Sequence, residues 1–161
     1  MKKKKIILII ILLIIIISVL TFFTVRYFTH KKNVTYVDLN DIKNMEISVN
    51  DGYLSPTYTY KFDFLNNSIM HKTEDYDKNE TFYTEFTDKD AEYFIKKANS
   101  YGFFNWEKSY KNNSVHDGKW ADISIEFKDD SVHETYCYAE FPPDYDKMAE
   151  VFYEAFGYNI L

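Results

Sequence analysis

The 161-residue chain has one cysteine, Cys137, only four glycines and three prolines, and no acidic residue before Asp38. A single thiol excludes an intrachain disulfide, so whatever folds here is held by packing alone, even in an oxidising compartment. Glycines at 52, 102, 118 and 157 are too dispersed for a phosphate-cradling loop, and G-x-S-x-G, H-E-x-x-H and C-x-x-C are all missing. The first alanine is Ala91, which argues against the A-x-A-like site of a cleaved signal peptide, and no cysteine follows the amino-terminal apolar run to take a lipid. Basic residues are scarce where they would be needed for nucleic acid. Seven of the 19 Lys and Arg lie in the first 33 residues, leaving 12 against 25 acids and a formal charge of −13 for the remainder. That balance excludes nucleic acid as a partner and disfavours contact with anionic lipid.

What the chain has in abundance is apolar length. Ile6 to Val25, IILIIILLIIIISVLTFFTV, carries no charge, proline or glycine. At ~1.5 Å per residue a helix of this length spans roughly 30 Å, the hydrocarbon thickness of a bilayer. Four lysines precede the run, while Arg26, Lys31 and Lys32 follow it. This bias places the amino terminus in the cytoplasm and the rest outside. The expectation is an uncleaved single-pass membrane anchor: residues 1–25 form a cytoplasmic tip and transmembrane helix, 26–37 a juxtamembrane linker, and 38–161 one extracytoplasmic domain.

Within that domain a short β-like segment, Met45 to Val49, precedes the turn signal Asp51-Gly52. Residues 57–65, TYTYKFDFL, alternate with period two and put Tyr58, Tyr60, Phe62 and Phe64 on one face of a strand. Asn66-Asn67 turns the chain, because asparagine tolerates positive φ, and Ser68 to Thr73 returns as the partner strand. An acidic run, Glu74 to Glu80, interrupts that partner, and Thr81 to Phe86 resumes it. Thr87 with Asp90 reads as a capping box for a helix that buries Ala91, Phe94, Ile95, Ala98 and Tyr101 and stops at Gly102.

A similar pattern then recurs. YKFDFLNNSI (60–69) aligns with ISIEFKDDSV (123–132) at an offset of 63, and Tyr83–Phe86 resembles Tyr138–Phe141 at an offset of 55. Phe86 to Gly102 and Phe141 to Gly157 have equal spacing. Met148, Val151, Phe152, Ala155 and Phe156 form the apolar face of the second helix, with Asp144 as its cap after Pro142-Pro143. The fold class expected is α+β: an N-terminal transmembrane helix followed by a ββα-ββα domain with an antiparallel sheet and two helices on one face.

This order of aromatic hairpin, short helix ending in Gly102-Phe103-Phe104, aspartate-bearing loop, second hairpin, proline and final helix resembles a family of bacterial domains of unknown function found in secreted or membrane-tethered proteins. The resemblance covers about residues 57–156. It implies the fold and the compartment, and it carries over no functional residue.

Candidate chemistry is sparse. Asp75, Asp77 and Asn79 match the first three ligand positions of a calcium-binding EF-hand loop, but its glycine is Glu80 and its final glutamate is Phe86. No metal or cofactor is therefore expected. Cys137 and His133 share a strand face ~13 Å apart, too far for a nucleophile and its base. A buried, inert thiol is the plain reading of Cys137. The loop from Trp106 to Trp120 is the place to look for recognition, with Trp106, Tyr110, His116, Asp117 and Trp120 as candidate binding residues; against that, Phe103, Phe104 and Trp106 just after a helix end also read as core plugs, and Asp117-Gly118 as a turn. The function expected is a non-catalytic protein- or envelope-binding module. The alternatives are a cell-envelope hydrolase using paired carboxylates such as Asp117 and Asp122, and a carbohydrate-binding module with an exposed tryptophan or tyrosine platform.

Overall fold

The computed structural model describes residues 36–161; the expected transmembrane run and residues 26–35 of the expected linker lie outside this range. Among the described residues no helix is long and apolar enough to cross a membrane. Val37, assigned to the linker above, belongs to the domain: it is buried, and its N–H donates to Asn99 Oδ1 while its carbonyl accepts from Asn99 Nδ2.

The described part is α+β, with a seven-stranded sheet and two helices. Strands β1 (Ile42–Asn50), β2 (Thr57–Asp63), β3 (Ser68–Glu74) and β4 (Asn79–Glu85) lead into helix α1 (Asp88–Ser100). After it come β5 (Ser109–Lys111), β6 (Trp120–Phe127), β7 (Val132–Tyr138) and α2 (Tyr145–Phe156). The spatial order is β4-β3-β2-β1-β6-β7-β5. All neighbours are antiparallel except β5, which runs parallel to β7, so the expectation of a purely antiparallel sheet fails at that edge.

β1, expected as a short segment, is nine residues long and occupies the centre. Its buried Met45, Ile47 and Val49 alternate with partly exposed polar residues, and each is matched on both sides. Met45 lies between Phe62 and Ile125, Ile47 between Tyr60 and Ile123, and Val49 between Tyr58 and Ala121. The offset of 63 read from the sequence is thus a pairing fact, because β2 and β6 flank β1 in equivalent register. The turns agree too, since Asn67 (φ 51°) and Asp130 (φ 64°) are both left-handed. The return strands do not keep that offset. Four residues separate the paired Asp63 and Ser68, but five separate Glu126 and Val132, so Ile69 faces Phe62 whereas His133 faces Ile125.

A second correction concerns the acidic run. It does not interrupt one strand; Asp75 and Lys78 close a tight hairpin, and β4 is a separate outer strand paired with β3 over seven residues. β7 therefore corresponds to β3, and the resemblance between Tyr83–Phe86 and Tyr138–Phe141 joins places that are not equivalent.

Both helices use the faces that periodicity indicates. α1 starts at the Thr87–Asp90 capping box and ends before Gly102 at φ 68°; α2 ends at Gly157 at φ 76°. Asp144 sits at the start of α2 without capping it, its carboxylate instead accepting from Lys147 Nζ at 2.6 Å. Phe152 and Phe156 of α2 lie 5.8 and 4.9 Å from the Phe62 ring, and Phe94 of α1 lies 4.9 Å from Phe152. The two helices thus pack on each other over the side of the sheet that carries Phe62. The opposite side carries Glu46, Ser48, Lys61, Asp122 and Ser124 and has no helix over it among the described residues.

Candidate functional site

The five residues singled out from the 106–120 loop separate in space. Trp106 is only 7% exposed; its ring meets Phe103 at 4.8 Å and stacks with Tyr145 at 6.2 Å, so it is a core plug and not a binding platform. A tryptophan just after a helix end finds apolar surface there, and burying its large ring stabilises a domain that has no crosslink. Tyr110 lies on β5, partly buried against the core, and its hydroxyl accepts the N–H of Glu107. His116, Asp117 and Trp120 do come together, at the end of the sheet where β1 stops and β6 begins.

Their neighbours are residues that no pattern in the loop itself reveals. An open depression of about 520 Å³ is lined by Asn50, Tyr53, Leu54, His116, Trp120 and Tyr138, among others. Trp120 is directly opposite both Asn50 and Tyr138 in the sheet, which makes it the middle of three strand ends. The β1–β2 loop is shaped from within by Asn50. Its Oδ1 accepts from Gly52 N–H at 2.8 Å and its Nδ2 donates to the Ser55 carbonyl at 2.7 Å.

Asp117 joins the two loops, its carboxylate accepting the N–H of Tyr53. Gly52 makes room for that contact: it adopts φ +125°, and a Cβ there would lie 3.1 Å from Asp117 Oδ1. On the other side, a Cβ on Gly118 would come within 2.6 Å of Ala139 Cβ, so only glycine lets the loop close against the end of β7. Both glycines are thus needed to hold His116 and Asp117 against the Tyr53–Leu54 tip. The tip itself is apolar and outward, with Tyr53 80% and Leu54 84% exposed, and Leu54 has φ 69°. The signal that could have found it is local: a tyrosine and a leucine directly after Asp51-Gly52, inside a turn.

The chemistry of the site is contact chemistry. Asp117 is engaged by a backbone amide, and it is not among the charges that perturb Asp122. Asp122 lies on the helix-free side of the sheet, opposite Ser48 and Tyr136. Partial desolvation, then the carboxylates of Glu134 and Glu46, raise its pKa from the ordinary aspartate value. Cys137, fully buried opposite Ala121, has its thiol pushed up to about 12, chiefly by burial, which leaves it a neutral core residue. Among the described residues no group of three His, Cys, Asp or Glu side chains could hold a metal ion.

Compared with protein-family models and with curated proteins, the sequence matches none, so the reading of the site rests on its own residues.

Proposed function

We propose that the chain is a single-pass membrane protein anchored by Ile6–Val25, with its amino terminus cytoplasmic and its domain outside. In this reading the domain is a non-catalytic module that recognises a protein or a component of the cell envelope through the loop end around Trp120. The observation that carries the recognition role is Leu54. A leucine in the left-handed region costs about 1 kcal/mol relative to glycine, and at 84% exposure it recovers almost nothing by packing. Leu54 and Tyr53 together hold out an apolar tip that folding alone does not need, beside an aromatic wall of Trp120 and Tyr138.

The test uses the full chain in uncharged detergent, with a photo-crosslinking side chain in place of Tyr53. Leu54→Gly is expected to raise stability by about 1 kcal/mol while reducing capture of the envelope partner roughly tenfold or more. Capture that survives Leu54→Gly unchanged, and is lost in an Asp122→Asn variant instead, would reject the loop-end reading in favour of the carboxylate face. Trp120 fluorescence, read in a Trp106→Phe background, separates a wall polysaccharide from a protein, because stacking of a sugar ring shifts the emission of the half-buried indole.

A further inference from the structure

We propose that β4 is a docking edge that takes an extended, positively charged polypeptide segment as an eighth strand of the sheet. This inference does not depend on the loop end. Among the described residues β4 is the outermost strand on its side, seven residues long, paired with β3 without a register shift. Its hydrogen-bond phase follows from its two ends: Asp75 and Lys78 exchange backbone bonds at 3.0 and 3.4 Å, and Phe86 N–H donates to the Asn67 carbonyl at 3.0 Å. In an antiparallel pair bonded and non-bonded positions alternate. Glu80, Phe82 and Thr84 therefore bond β3, while Asn79, Thr81, Tyr83 and Glu85 direct their N–H and C=O groups away from the sheet. A row of four such residues is a template for another strand.

Three of the usual protections of an edge are missing. β4 contains no proline and no lysine, its pairing has no bulge, and Phe82 and Tyr83 are 52% and 77% exposed on opposite faces. The sheet's other edge is blunted, since β5 has only three residues, follows Lys108 and ends on Lys111.

Charge identifies the occupant. Residues 74–90 carry seven acids against two lysines, and one of these, Lys78, is paired with Glu80. Glu80 and Glu85 bracket the aromatic pair, on the helix side and the open side respectively. A strand with Lys or Arg towards its ends and apolar residues between them complements this edge, whereas a second copy of the chain would set one acidic edge against another.

The experiment uses the full chain, isotope-labelled in uncharged detergent, and a synthetic peptide with paired lysines at each end and alternating valine and threonine between. Addition of the peptide should slow amide exchange at residues 79, 81, 83 and 85 by roughly tenfold or more, while the amides of 80, 82 and 84 are slow already. Thr81→Pro removes one outward N–H and leaves the β3 ladder intact, so it should weaken binding roughly tenfold with an unchanged thermal midpoint. If Thr81→Pro loses the fold, the same loss of binding is read with a peptide N-methylated at alternate residues. Equal binding of the N-methylated peptide, equal binding of a peptide with glutamate for lysine, or a symmetric dimer through β4 in sedimentation would each overturn the proposal.

Discussion

β1 divides the sheet into two flanks that begin alike and end differently. On either side of Met45, Ile47 and Val49 an antiparallel neighbour puts its own inward residues in the same register, and each hairpin turns on a left-handed Asn67 or Asp130. Beyond the hairpins the likeness ends. One flank adds β4, long, regular and acidic; the other adds β5, three residues that run parallel, follow Lys108 and end on Lys111. The equivalence near the centre reflects the demand of a shared core, where alternate large side chains must meet both helices. At the edges no core constrains the chain, and the two flanks are free to differ in what they offer a partner.

The comparison can be broken most severely at its centre. Phe62→Ala and Ile125→Ala remove equivalent side chains on the two sides of Met45. Phe62→Ala should cost about 3–5 kcal/mol in denaturant unfolding, since its ring meets both Phe152 and Phe156. Ile125→Ala should cost less, about 2–3 kcal/mol. Equal losses would mean that the helices lean on both flanks alike.

The turns should give a smaller and more even effect. Asn67→Ala and Asp130→Ala each force alanine into a left-handed conformation, at a cost of about 1 kcal/mol, and glycine at either position should restore stability. Asn67 should show the larger loss, because its Nδ2 also donates to Asp88 at 2.7 Å.

The smallest effect distinguishes the return strands by pH. Burial lowers the pKa of both His71 on β3 and His133 on β7, with Lys108 adding to the shift at His133. The folded state therefore resists protonating them. Their neutral forms are fully compatible with folding above the unfolded value of about 6.5, and stability is lost as pH falls below it. His71 stacks on Tyr60 at 4.5 Å, so His71→Phe should keep the packing and flatten the loss of thermal midpoint between about pH 6.5 and 5. An unchanged pH slope in that variant would assign the dependence to His133 or to carboxylates.

Much of this was legible in the residues because it depends on short-range chemistry. The 57–63 strand, the Asn67 turn, the Thr87–Asp90 box, the apolar helix faces and the glycine stops are each set by neighbours within a few positions. The offset of 63 was also visible, since two strands that flank one partner need the same alternation. Three features were not legible. The central role of β1 depends on pairing with segments on both sides, and only Met45, Ile47 and Val49 in the middle of its nine residues hint at it. β4 looked like a resumed strand because its alternation continues that of β3; the two-residue hairpin between them is disguised by acids. Trp106 stood open between a core plug and a ligand platform, and only the packing of Phe103 and Tyr145 around it decides for the core.

By itself the sequence determined the charge of the domain, the absence of an intrachain disulfide, the apolar run of membrane-spanning length and the local elements, since these follow from composition and near neighbours. The tertiary structure decided which residues share a site and which edge lies open. Tyr53 and Leu54 reach Asp117 and Trp120 across more than sixty positions, through Gly52 and a single carboxylate. Pairing over such a separation depends on the whole sheet closing, and no window of neighbouring residues contains it.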